Sequence, residues 1–464
     1  MEITRFAPSP TGHLHIGGAR TALFSYLFAK ANKGKFLLRF EDTDQERSKD
    51  EYVDSILNSL DWMQIKLDAE PVYQSKRIVK HKELAIELYK KGFAYACDCS
   101  EETLTKMREE QIAKKQKPKY NGLNRNKNIE FAEGMVLRFK FPLEGESKFK
   151  DLILGDIAIN NKEFDDFIIL RSDGSPTYNF SAAVDDKDMK ITTVIRGDDH
   201  ITNTLKQINV LKALGATIPK YAHLPMVLAE SGKRLSKRDG AEDILDYKKK
   251  GYLSDALINY LVRLGWSYGE EEIFSLEKLQ KIFDLSDVNS SPSKYSQDLL
   301  NWYNNKYLNF LSTEELVLKV KENLEIDFNE INNGNLAISL LAKGANSLNQ
   351  IAEDSIYFFE DPEVNFDLLK IDMNKKILFS KFSNQLKEID FEKNSIEKFI
   401  KEFLQANDLK FPELGKPLRV ILTGKENAPS ISELLFILGK ETSLKRIEYT
   451  LDCLLYTSDA ADDW

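Results

Sequence analysis

Two histidines separated by a single residue, His13 and His15, stand among glycines in the run from Arg5 to Gly18, RFAPSPTGHLHIGG. Imidazoles can donate to phosphate oxygens, and glycines such as Gly12, Gly17 and Gly18 let a backbone approach a ligand closely. A helix opening just after them would add unpaired N–H groups and a partial positive charge, which suits phosphate. A second run, Gly232-Lys233-Arg234-Leu235-Ser236-Lys237-Arg238-Asp239-Gly240, sets cations beside a hydroxyl between glycines. Such a loop can embrace a polyphosphate. Each run also has a plainer reading, the first as a Pro/Gly connector and the second as a solvated basic turn.

The surrounding pattern says what must hold these residues. Residues 3–7 read as a strand, and Pro8 and Pro10 keep the linker extended. From Ala19 the spacing is helical, with Leu23, Leu27, Phe28 and Ala31 on one face. A strand over 36–40 and a helix from Lys49 follow, with Ser48 and Glu51 as an expected capping box. Val53, Ile56, Leu57 and Leu60 form that helix's apolar face. Strand–helix alternation predicts a doubly wound parallel sheet, whose ligands lie beyond the carboxyl ends of the strands. Glu41, after Phe40, and Arg196, after Val194-Ile195, fall at such ends.

Between about 90 and 188 the pattern shifts to a lysine-rich helix and short strands over 136–141 and 167–170, which reads as an α+β insertion. A strand over 191–196 and a helix carrying Leu205, Ile208, Leu211 and Leu214, stopped by Gly215, restore the alternation. Beyond Leu253 helical spacing dominates, over 316–324, 336–348, 396–404 and 431–438. The predicted fold is an α/β catalytic domain, split by the insertion and followed by all-α C-terminal domains.

A chain of 464 residues with 42% hydrophobic and 30% charged residues is long enough for several cores. No apolar run is long enough to span a membrane, and the N-terminus carries no signal pattern, so a cytoplasmic protein is expected. Three cysteines, Cys97, Cys99 and Cys453, are too few for a disulfide framework. The net charge of −9 argues mildly against a nucleic-acid partner, although lysines cluster at 114–119 and 248–250.

Taken together, His15-Ile16-Gly17-Gly18 and Arg234-Leu235-Ser236-Lys237-Arg238 resemble the two ATP-binding motifs of class I aminoacyl-tRNA synthetases. The segments TRFAPSPTG from Thr4, RFEDTD from Arg39, SPTYN from Ser175 and VIRGDDH from Val194 are similar to those of the bacterial glutamyl-tRNA synthetases. The resemblance runs from Met1 to about Asp452. It implies activation of L-glutamate with ATP and Mg²⁺, then transfer to the 3′ end of tRNA(Glu) by a monomer. An enzyme that also charges tRNA(Gln) and an inactive tRNA-binding paralogue are the alternatives.

The resemblance assigns His13, His15, Gly17, Gly18, Arg234, Ser236 and Lys237 to ATP, with His15 and Lys237 as catalytic residues. A buried substrate carboxylate calls for arginine's fork. Arg5 and Arg196 are the candidates, with Tyr178, Asp199, Glu41, Ala7 and Ser9 completing the glutamate site and Glu41 meeting the ammonium. For Arg5 and Glu41 an internal salt bridge is the competing reading.

The implied domains are 1–89 with 189–245 for nucleotide, 90–188 for the tRNA acceptor end, 246–312 for stem contact and 313–452 for the anticodon. Some relatives carry zinc in the insertion. Here Cys97-Asp98-Cys99 keeps a Cys-x-Cys pair, but 121–126 supplies neither cysteine nor histidine, so no zinc and no protein-held metal is expected. Residues 453–464 match nothing in the family, resemble a translated library adapter, and are expected to be a non-native tail that packs against nothing.

Overall fold

The computed structural model describes all residues except 45, 234, 236–241, 370–372 and 460–464, and gives only the backbone of 454–459. The chain forms two compact units, 1–248 with 254–300, and 249–253 with 301–464.

In the first unit, strand β1 (Ile3–Phe6) pairs in parallel with β2 (Lys35–Phe40), and β2 with β3 (Val72–Tyr73). Helix α1 (Ile16–Ala31) connects β1 to β2 and is buried on most sides, from Ile16 through Ala22, Leu23, Phe24 and Leu27. That accounts for an apolar surface broader than the single face read from the sequence. Helix α2 (Asp50–Trp62) starts one residue later than its expected cap allows. Lys49, extended and without a side-chain capping bond, is the N-cap, and the Ser48 hydroxyl is buried without a partner among the described residues. The Ser48/Glu51 capping box is therefore corrected; Asp50 and Glu51 instead favour the helix through the dipole of its first turn. Helix α3 (Ile78–Lys90) leads into the inserted region.

There, β4 (Ala94–Cys97) and β5 (Val136–Phe139) pair antiparallel, helix α4 (Glu101–Ala113) lies between them in sequence, and β5 pairs on its other side with β8 (Ile168–Leu170). Between β5 and β8 lies an antiparallel hairpin, β6 (Glu146–Asp151) and β7 (Gly155–Asn160), that the sequence reading passes over. The hairpin joins the sheet of β9 (Thr193–Gly197) and β10 (Lys220–Leu224). Asp151 pairs with Tyr221, and β10 runs parallel to β9 from Thr193↔Lys220 to Gly197↔Leu224. Helices α5 (Tyr178–Asp188) and α6 (Ile201–Ala213) flank β9, and Gly215 (φ 63°) ends the latter region as expected.

One apolar cluster joins Leu84 and Leu88 of α3, Leu137 and Phe139 of β5, Ile169 of β8, Phe180 of α5 and Leu211 of α6. At about 1.5–3 kcal/mol for each large side chain buried, this cluster fastens the insertion to the helices behind β9. The backbone N–H of Thr192 donates to Ile3 O at 2.9 Å, bringing the start of β9 beside β1.

The described residues of the second unit form helices and no strands, among them Thr313–Leu324, Gly334–Gly344, Leu348–Phe359, Lys393–Ala406 and Phe411–Thr423. Phe379, Phe382, Phe399 and Phe403 build one of its cores. The expected helix over 336–348 is two helices. The first ends at Gly344, and Ser347 caps the next by accepting from Gln350 N–H. The expected helix at 431–438 ends where the backbone breaks at Gly439 (φ 77°, ψ 168°), and a second helix continues from there to Asp459. Trp464, on which the expectation of an unpacked tail turned, lies outside the described residues.

Candidate active site

The carboxyl ends of β1, β2 and β9 and the start of α1 open onto one cleft of about 610 Å³. Arg5, Ala7, Ser9, Glu41 and Tyr178 line it, as do His15, Gly17, Gly18, Arg196 and Asp199. Residues separated by most of the first unit's length thus share one space, at the edge where a parallel sheet places ligands.

At one end, the imidazole of His15 caps α1. Gly17 N–H donates to its Nδ1 at 3.2 Å. An accepting Nδ1 leaves the proton of the neutral ring on Nε2, the tautomer that can donate to phosphate. The glycines are set by space. A Cβ on Gly17 would stand 3.3 Å from His15 Cε1, and one on Gly18 2.9 Å from Leu14 Cδ1. Leu235, inside the basic second motif, lines the same cleft. Its neighbours Arg234, Ser236 and Lys237, assigned to ATP above, lie outside the described residues.

At the other end two buried arginines meet the cleft. Arg5 Nε donates to Asp186 Oδ1 at 3.1 Å, and the same oxygen accepts from Arg39 Nη1 at 2.6 Å. Arg39 Nη2 donates to Glu41 Oε1 at 3.1 Å. Burial opposes ionisation of Asp186, but Arg5 and Arg39 outweigh it and hold its carboxyl below the usual range. Burial pushes the Glu41 carboxyl up, against the pull of Arg39. Arg196 Nη2 donates to Thr204 Oγ1 at 2.5 Å, while its buried Nη1 has no partner among the described residues. Tyr178 Oη lies 3.0 Å from His200 Nδ1, and burial together with Arg196 lowers the pKa of that imidazole. The cleft therefore offers cations for a carboxylate, a carboxylate for an ammonium, and a helix N-terminus for phosphate.

The profile for tRNA synthetases class I (E and Q), catalytic domain, matches residues 3–302, and an anticodon binding domain matches 297–451. The chain is 45% identical over 461 residues to the glutamate–tRNA ligase of Nitrosospira multiformis, covering 97% of this chain and 99% of that one. It is also 45% identical over 460 residues to glutamate–tRNA ligase 1 of Coxiella burnetii, covering 97% of each. This chain belongs to the glutamate–tRNA ligase family. A solved structure of a glutamate tRNA ligase from Elizabethkingia meningosepticum, in complex with its amino acid, matches with a TM-score of 0.87 at 31% identity. That match covers 97% of this chain and 99% of the other. The chain is accordingly an aminoacyl-tRNA ligase of class I, with a parallel-sheet catalytic region and a helical anticodon region.

Within this ligase fold, His13 stands apart from the cleft lining. Its Nδ1 lies 3.0 Å from Ser55 Oγ and 3.3 Å from Asp243 Oδ2, and its ring meets Tyr52 edge-on. The sequence reading missed Arg20, which is buried on α1 and lines the cleft. It donates to Leu264 O at 2.9 Å and to Pro225 O, and burial draws its guanidinium down to about 10 against the pull of Asp198. Its place two residues after Gly18 was the available signal.

In the insertion, Cys97 Sγ and Cys99 Sγ lie 3.6 and 3.8 Å from Tyr120 Oη, and the guanidinium of Arg138 covers the Tyr120 ring at 3.8 Å. Among the described residues no group of three or more His, Cys, Asp or Glu side chains is placed to hold a metal ion.

Proposed function

We propose that this chain activates L-glutamate with ATP and loads it onto tRNA(Glu). The observation that carries this is the meeting, in a single cleft, of Arg5, Glu41 and Arg196 with the His15-capped start of α1. Glutamate lies with its side-chain carboxylate toward Arg196 and Arg5. Its ammonium faces Glu41, and Ala7 and Ser9 border it. Its α-carboxylate attacks the α-phosphorus of ATP, the bond to the bridging oxygen breaks, and pyrophosphate leaves with that electron pair. The 2′-hydroxyl of the terminal adenosine then attacks the mixed anhydride and AMP departs, as class I membership implies.

Positioning and charge neutralisation supply the rate, and no covalent nucleophile is required. His15 donates to phosphate, Gly17 and Gly18 admit the nucleotide, and Lys237 neutralises charge developing on the leaving group. Asp199 and Tyr178 border the amino acid. Magnesium accompanies ATP, held mainly on its phosphate oxygens. The protein acts as a cytoplasmic monomer.

The deciding experiment is aminoacylation of purified tRNA(Glu) and tRNA(Gln) side by side with glutamate. Charging of tRNA(Glu) alone is the expected result, and charging of both identifies a non-discriminating enzyme. Loss of pyrophosphate exchange in the presence of glutamate, ATP and tRNA would leave only a binding role.

A further inference from the structure

Arg196 is held from behind by side chains that do not line the cleft. Its Nη2 donates to Thr204 Oγ1 at 2.5 Å, and its Nε lies 3.4 Å from His223 Nε2. Thr204 belongs to α6 and His223 to β10, and both are fully buried. On the far side of the ring, His223 Nδ1 is 2.6 Å from Asp151 Oδ2, at the end of β6.

The protons of this chain can be assigned. Bonds from the Leu154 backbone and from His223 outweigh the burial of Asp151 and keep its carboxyl below the usual range, so it accepts. His223 Nδ1 therefore carries the ring proton. Burial lowers the pKa of His223 even against the bond to Asp151, which keeps the imidazole neutral and Nε2 an acceptor. Nε2, at 2.9 Å a closer acceptor than His200 O at 3.2 Å, then takes the Thr204 hydroxyl, and the lone pairs of that hydroxyl take Arg196 Nη2. Every donor points from the guanidinium toward Asp151. Arg196 Nη1, buried and without a partner among the described residues, is the nitrogen left over.

We infer that Thr204, His223 and Asp151 form a positioning relay that fixes the guanidinium of Arg196 for the substrate's side-chain carboxylate, so that Thr204 sets affinity for the acidic amino acid without touching it. The inference rests on the role given to Arg196 above. A guanidinium held through Nη2, with its Nε against the same imidazole, pays little ordering entropy when the remaining nitrogen meets a carboxylate. Without the Thr204 hydroxyl, Nη2 loses a buried acceptor and the side chain is free to swing.

The test is tRNA-dependent pyrophosphate exchange with glutamate on the full chain. Thr204→Val keeps the volume and removes the hydroxyl, Thr204→Ser keeps the hydroxyl, and Thr204→Ala is a second removal variant in case the valine enzyme does not fold. Removal is expected to raise the KM for glutamate about tenfold, with the KM for ATP within about twofold, and Thr204→Ser to restore it. A role in packing alone would move both KM values or neither, and serine would not rescue; either result overturns the relay. Arg196→Ala separates this from the underlying reading. If it leaves glutamate saturation unchanged, the assignment of Arg196 itself fails. If it raises the KM while Thr204→Val does not, only the relay fails. Combined in one chain, Thr204→Val should add nothing to Arg196→Ala.

Discussion

Glu41 enters the cleft with one oxygen already held, because Arg39 Nη2 donates to its Oε1 at 3.1 Å. The internal salt bridge weighed above for Arg5 and Glu41 is therefore made with other partners. Arg39 takes Glu41, and Asp186 takes both Arg39 and Arg5. The result is an alternating row of two cations and two anions whose ends, Arg5 and Glu41, face the ligand space.

Arg39 is the fully buried centre of that row, with Asp186 and Glu41 on either side. Replacing it with methionine leaves Glu41 without its cation and Asp186 with Arg5 alone, so Arg39→Met should cost about 3–5 kcal/mol of stability. Urea unfolding of the purified variant reads this directly. A loss under about 1 kcal/mol would show that the row contributes little.

Arg196→Ala should lower kcat/KM for glutamate about a hundredfold, since a charge-assisted pair to a carboxylate is worth about 1.5–3 kcal/mol per bond. Circular dichroism is expected to match the parent. Unchanged glutamate saturation would remove Arg196 from the amino-acid site.

Glu2 ties β1 to the β9–β10 sheet by accepting from Lys220, Thr192 and Thr193. Burial opposes its ionisation, but these bonds hold its carboxyl at about 2, below the ordinary 4.5. A lowered native pKa stabilises the fold above the unfolded value, and the benefit fades as pH falls from about 4.5 to about 2. Glu2→Gln should cost about 1 kcal/mol or less at neutral pH, given solvent screening, and flatten the loss of stability across that window. Parallel acid limbs for parent and variant would count against this account.

Gly34 precedes β2 where a Cβ would sit 2.1 Å from the carbonyl oxygen of Glu2. That neighbour is backbone and cannot rotate away, so Gly34→Ala should destabilise by about 1–3 kcal/mol. Thermal unfolding within error of the parent would contradict the close approach.

Much of this molecule could be read in advance because its signals are local. The apolar spacing of α1, the strands entering at Ile3 and Lys35, and the stop at Gly215 depend on residues within a turn or two of each other. The cap of α2 misled, because Ser48 has the right chemistry but Lys49 has the required backbone conformation. The β6–β7 hairpin escaped notice since the buried positions of β6 include the polar Ser147 and Asp151, which hide its alternation. In the site, residues at strand ends were legible and their supports were not. Arg5 and Asp186 are 181 residues apart, and Asp151 and His223 are 72 apart. No window of sequence holds both members of either pair.

The pairing of Asp151 with Tyr221 makes one short ribbon answer to two masters. Its outer strand belongs to the segment expected to grip the acceptor end, while its last carboxylate anchors the imidazole beneath Arg196. Any displacement of that ribbon would reach the guanidinium of Arg196 through three hydrogen bonds, by way of His223 and Thr204.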